Sequence, residues 1–217
     1  MTGLPMIGRV RAIRAGLGHA VLAANLHGLA FRSKLFSLAA SGGFSTFGRR
    51  TVLELPIRIV GGRRMAIGSD VYVGAGSCLQ TMGDANGNPV LFIGDGTSIA
   101  GSAVLSAATC VQLGERVLLA RNVYIADHQH AFDDLDLAVL DQGINRVAPV
   151  LIGDGVWLGQ NVVVGPGVSI GRGAVIGANS VVLDDIPANA VAVGAPAKVV
   201  RQLGDSEPLG SRLEVAK

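Results

Sequence analysis

The chain has 217 residues but little of what usually marks a specialised site: two cysteines, four histidines, 4% aromatic and 16% charged residues. Cys78 and Cys110 cannot form the framework of a disulfide-stapled secreted domain. Neither stands in a metal-ligand spacing, so both read as small core residues in a reducing compartment. With so few aromatics, the basic residues have no interleaved stacking partners, which removes nucleic acid as an expected partner. Long apolar runs are missing as well. The uncharged stretch from Ala15 to Phe31 is 17 residues long, includes His19, Asn25 and His27, and falls short of the roughly 20 apolar residues of a spanning helix. No convincing signal peptide is present, and the reading is a cytoplasmic protein. Nucleophile-elbow, Walker and dinucleotide-binding patterns are also absent.

What is abundant is glycine, with 31 residues, in a chain that is 49% hydrophobic and lacks a collagen period. That composition fits a packed, turn-rich β structure. From Ile152 to Val182 an aliphatic residue returns every sixth position, at Ile152, Leu158, Val164, Ile170, Ile176 and Val182. Glycine follows each of the first five, and a small or β-branched residue stands four positions on, at Val156, Val162, Val168, Ala174 and Ser180. Such hexapeptide units bury their faces only by stacking, which predicts an all-β parallel β-helix. The same register appears from Ile67, breaks at Gln80–Pro89, and leaves the pattern altogether over residues 126–149.

Charge is distributed unevenly. Residues 1–64 hold ten Arg or Lys against the single acid Glu54. Residues 7–40 read as a helix that caps the open end of the solenoid. The rival reading is an interfacial helix, with residues 1–40 in peripheral contact with the inner face of the membrane and Arg9, Arg11, Arg14, Arg32 and Lys34 toward headgroups. The expected organisation is a helical cap or arm at 1–50, a β-helix at 51–203 with a protruding loop at 126–149, and a flexible tail at 204–217. Within it, 41–50 reads as a loop, Leu53–Val60 as a first strand and 198–203 as a short strand or turn.

An insertion in a regular solenoid places side chains for work outside the shared core. This one carries His128 and His130 amid Asp127, Asp133, Asp134 and Asp136, and a histidine beside a carboxylate suits general-base chemistry. A zinc site from His128, His130 and Asp127 is the weaker alternative. Strand alternation would turn both histidines to one side with no third ligand evident, so no metal is expected.

The run VLLARNVYIADHQH, with the repeats that follow and the closing IPANAVAVGAPAKVV, resembles the hexapeptide-repeat acyltransferases over residues 67–203. Within that family it is similar to the maltose, galactoside and polysaccharide-biosynthesis O-acetyltransferases. The resemblance implies a left-handed β-helix, assembled as a homotrimer with acetyl-CoA in the groove between neighbouring subunits, and direct transfer to a sugar or glycan hydroxyl. It places the general base at His130, with His128 as the alternative, and leaves the orientation of that base to Asp127 or to another subunit. Asp133 and Asp134 fall in the loop that receives the acceptor. Trp157, Gly159, Gly177, Ala178 and Ser180 match the cofactor edge, and Lys198 and Arg201 the phosphate end. Two departures stand out: Leu183-Asp184 where the family often has Thr-Lys, and Ala100 where an earlier coil often supplies the base with a polar partner. An amino-sugar or xenobiotic acceptor, a non-catalytic scaffold, and a zinc-dependent trimer of the carbonic anhydrase type are the rivals.

Overall fold

The computed structural model describes residues 4–84 and 87–204, with side chains from residue 18 onward. Arg9, Arg11 and Arg14, and the expected tail beyond Gly204, therefore lie outside the described side chains.

Short parallel strands wind through three faces in strict rotation. The first face stacks Thr46–Phe47, Met65–Ile67, Leu91–Ile93, Val111–Leu113, Val150–Ile152 and Ser169–Ile170. The second begins with Val52–Leu53, runs through Trp157–Leu158 and Val175–Ile176, and ends at Ala190–Val193. The third runs from Arg58–Val60 through Cys78–Thr81, Val104–Ala107 and Tyr124–Ala126 to Val181–Val182. Each strand pairs with the one a full turn away, as in Leu118↔Trp157 and Tyr124↔Val163, which makes the solenoid a parallel β-helix. Ile152, Leu158, Val164, Ile170, Ile176 and Val182 are each at most 2% exposed and form the aliphatic interior. A six-residue unit spends two residues on a face and four on a corner; one aliphatic strand residue points inward, and a second, small or β-branched residue at the corner, such as Val156, Val162, Val168 or Ala174, is buried with it.

Corners carry their own ladders. Asn122, Asn161 and Asn179 all take positive φ and pass side-chain hydrogen bonds up the stack at 3.1 and 2.8 Å. Asparagine tolerates the left-handed region because its short amide bonds locally.

Three expectations change. A first-face strand, Thr46–Phe47, stands inside the segment 41–50 that reads as a loop, paired with Ala66 and Ile67. Leu53–Val60 is not one strand: the chain turns a corner at Pro56 and divides it between two faces. The cysteines are half-buried rather than core, since the inward residue of Cys78–Thr81 next to Cys78 is Leu79.

Among the described residues one α-helix, α1, spans Leu4–Ala40. Of its described side chains, those of the last turns pack on the solenoid. Ser33 and Ser37 are buried there, and their hydroxyls accept hydrogen bonds from the backbone N–H groups of Leu55 (3.2 Å) and Leu53 (2.8 Å). Those N–H groups belong to the first coil, which has no coil below it to pair with, so α1 closes an open sheet edge. At the far end Lys198–Gln202 folds back antiparallel on Ala190–Val193. Among the described residues no helix is long and apolar enough to cross a membrane.

Candidate active site

The regular winding fails at one corner, between the third face and the first. The strand Tyr124–Ala126 ends there, and the chain does not rejoin the solenoid until Val150. The Ala148 N–H donates to the Asp127 carbonyl at 2.9 Å, pinching the two ends of the excursion together. Between them, Gln129–His130 pairs antiparallel with Ile144–Asn145 as a protruding hairpin. Its distal part is exposed: Asp133 accepts from Asn145 Nδ2 at 3.4 Å, and Asp134 accepts from the Asp136 N–H at 2.9 Å.

At the root of the hairpin the Asp127 carboxylate is completely buried. It accepts hydrogen bonds from the backbone N–H groups of Ala108, Thr109 and Cys110 at 2.8, 2.6 and 2.7 Å, and from the Thr109 hydroxyl at 3.1 Å. His128 Nδ1 lies 2.7 Å from Asp127 Oδ1. Burial pushes the Asp127 carboxyl upward. The bonds from His128 and the three backbone amides outweigh it and hold the group below the usual carboxylate range. Asp127 is thus an anion in place, and an anion at Nδ1 requires the imidazole proton on that nitrogen. Nε2 is left as a lone pair able to accept a proton, the arrangement of a general base. His128 is 8% exposed, and its Nε2 approaches Ser106 Oγ at 3.5 Å.

His130 sits differently. Its ring is exposed on the hairpin and has no hydrogen-bond partner among the described residues, so Asp127 joins His128 and not His130. Alternation cannot relate the two histidines, because the chain has left the strand after Ala126. Among the described residues no three His, Cys, Asp or Glu side chains converge.

The residues matched to the cofactor edge lie elsewhere in the prism. Trp157 projects from the second face, 47% exposed, and Ala178 is exposed at the corner between the second and third faces. Gly159 and Gly177 hold the same corner. A Cβ at Gly159 would fall 2.6 Å from the Ala178 amide nitrogen, so stacking of the coils alone demands glycine there. Ser180 does not face outward: it is fully buried, donates to the Gly177 carbonyl at 2.7 Å and accepts from the Gly194 N–H at 3.1 Å. Lys198 and Arg201 stand on the terminal strand, and Lys198 Nζ is paired with Asp184 at 3.0 Å. The residue that departs from the family pattern therefore holds one of the cations expected to meet phosphate. Sequence reasoning passed over Ser106 and Gln80. Both occupy outward positions on the third face with no motif to mark them, and only the fold stacks them beneath the dyad.

Residues 149–184 match the model of the bacterial transferase hexapeptide family, described as six repeats. A Mycobacterium tuberculosis protein named as a probable acetyltransferase is 37% identical over 128 residues, covering 58% of this chain and 42% of that protein. WbbJ of Escherichia coli, named as a putative O-acetyl transferase of lipopolysaccharide biosynthesis, is 33% identical over 125 residues, 55% of this chain and 64% of the relative. The chain thus spans less than two thirds of the length of either. Among solved structures, AntD of Bacillus cereus, an N-acyltransferase seen as a mutant in complex with dTDP and coenzyme A, superposes with a TM-score of 0.65. The match has 18% identity and covers 76% of this chain and 87% of that one, which shows a shared fold.

Proposed function

We propose that this chain, a hexapeptide-repeat protein similar to acetyltransferases, moves an acetyl group from acetyl-CoA to a sugar hydroxyl in surface polysaccharide or glycan synthesis. The β-helix is left-handed in this reading, and three chains assemble around a common axis. The observation that supports it best is the buried Asp127–His128 pair at the root of the hairpin that leaves the solenoid after Ala126. His128 Nε2 takes the proton of the acceptor hydroxyl as the oxygen attacks the thioester carbonyl, and a backbone amide polarises that carbonyl. The proton is returned to the CoA thiolate when the C–S bond breaks, so no acyl-enzyme forms. Asp127 fixes the tautomer and stabilises the imidazolium. The hairpin carrying His130, Asp133 and Asp134 receives the acceptor, with His130 in reach of it as a binding group.

CoA lies along Trp157, Gly159, Gly177 and Ala178, its phosphates toward Lys198 and Arg201. Those residues occupy the second face and the corner beyond it, whereas the dyad occupies the corner between the third and first faces. A complete site then combines the dyad of one subunit with the cofactor edge of its neighbour.

The test is an acceptor screen with acetyl-CoA and detection of free thiol, followed by His128→Ala and His130→Ala on the best acceptor. His128→Ala is expected to lower kcat about 10²–10⁴-fold, the usual range for a general base, while His130→Ala acts chiefly on the acceptor KM. Full activity in His128→Ala with loss in His130→Ala returns the base to His130. Transfer confined to amino sugars would make the enzyme an N-acetyltransferase.

A further inference from the structure

Beneath the dyad, the third face carries a polar line that a β-helix does not require. Gln80 and Ser106 are direct ladder neighbours in register on successive coils, and Ala126 follows Ser106 in the same row. Gln80 Nε2 donates to Ser106 Oγ at 2.8 Å, and Ser106 Oγ lies 3.5 Å from His128 Nε2. Four side chains thus connect in order, Gln80, Ser106, His128 and Asp127. Ser106 is only 1% exposed although it points outward, because the dyad and its loop lie over it.

Serine, histidine and aspartate in this order are also the constellation of a nucleophilic triad. Three observations argue against that use. A nucleophile must present its oxygen to the substrate, and Ser106 is covered. One lone pair of its oxygen already accepts from Gln80, which draws electron density away from it. The 3.5 Å separation is longer than the hydrogen bond through which a base activates a serine. The cover over Ser106 and its bond from Gln80 suit an orienting hydroxyl, and the long contact to Nε2 can give way to an acceptor. With the Gln80 amide donating into the oxygen, the serine hydrogen is free to turn toward the Nε2 lone pair in the resting site, a long contact that the acceptor hydroxyl displaces when it brings its own proton to that lone pair. Asp127 holds one edge of the imidazole and Ser106 the other, so the ring cannot rotate about its attachment without breaking both.

We propose that Ser106, itself held by Gln80, is a positioning residue that fixes the imidazole of His128 in the resting site and yields Nε2 to the acceptor hydroxyl. It rests on the acyl-transfer reading only for its kinetic consequence; the contact itself is independent of any activity. Ser106 neither gains nor loses a proton over the cycle. The acceptor hydroxyl proton moves to Nε2, the new O–C bond forms, the C–S bond breaks, and the proton leaves with the thiol.

The experiment has an arm that needs no turnover. In protein labelled with 15N at histidine, the Nε2 resonance of His128 is expected to move in Ser106→Ala and to stay near its original position in Ser106→Thr, which keeps the hydroxyl. An unchanged resonance in Ser106→Ala overturns the proposal whether or not an acceptor is known. On an active acceptor, Ser106→Ala is expected to lower kcat about tenfold, the worth of one hydrogen bond, with the KM for acetyl-CoA within about twofold. Ser106→Thr restores most of the rate. Equal losses in both variants, or a loss confined to KM, would overturn the assignment. Gln80→Met, which removes the donor at similar volume, covers the case in which Ser106→Ala fails to fold; it must move the same resonance. Addition of an acetyl mass to Ser106 on mixing with acetyl-CoA alone would make it a nucleophile instead.

Discussion

A buried carboxylate is tolerated only if its bonds replace the water it has lost, and Asp127 has them from three backbone amides, a hydroxyl and an imidazole. That count gives it a stability role separable from chemistry. Its folded-state pKa is depressed, so its contribution is present above the unfolded value of about 4 and lost as pH falls through the folded value. Asp127→Asn is therefore expected to lower the melting temperature at pH 7, and the gap to the parent should close as the buffer is taken below about pH 4. Thermal scans at a series of pH values read it directly, and a gap independent of pH would mean that the charge is not what the amides stabilise. At this scale the sequence was only half legible. The cluster of histidines and acids marked the region, but which histidine meets which acid depends on where the strand ends, and Ala126 gives no sign of that.

Among the elements, α1 shows most clearly what composition hides. Its described apolar side chains lie on two opposed sides: Leu22, Leu26 and Leu29 continue the docking face of Ser33, Phe36, Ser37 and Ala40, while Phe31, Leu35 and Leu38 lie half a turn away. An interfacial helix needs one apolar side and one polar side, so this arrangement does not favour the membrane reading. The capping reading has a physical basis in the bonds to Ser33 and Ser37 and in Phe36, which packs against the core. Ser37→Ala would leave the Leu53 N–H buried and unpaired, which costs about 1–3 kcal/mol. Urea denaturation should show that loss as a lower midpoint with an unchanged slope. An unmoved midpoint would mean that water replaces the hydroxyl and that the helix end is not sealed. The hexapeptide elements, by contrast, were readable almost residue by residue, because two inward positions per unit, one aliphatic and one small or β-branched, define the interior of a coil. The first coil was legible only as one strand at Leu53–Val60, since α1 and Pro56 replace the stacking neighbour and the regular corner that make later coils recognisable.

Taken whole, the prism separates the two halves of the proposed site. The dyad projects at one corner and the cofactor edge begins on another face, with the third face, bearing exposed Tyr124 and Val60, between them. The second face exposes Tyr72, Leu118 and Trp157 in one row, the kind of apolar surface that a closed oligomer covers. If each site draws on two subunits, two separately inactive variants should rescue one another. His128→Ala removes the base but leaves the edge, and Ala178→Trp fills the edge from an exposed corner while leaving the base. Denatured together in equal amounts and refolded, they form mixed trimers in which one interface of three pairs an intact dyad with an intact edge. Activity is then expected to return to about a quarter of the parent value, the share of such interfaces under random mixing of a cyclic trimer. Each variant refolded alone stays inactive. No recovery in the mixture, with trimers verified by light scattering, would place both halves of the site within one chain and would require acetyl-CoA to reach His128 around the third face.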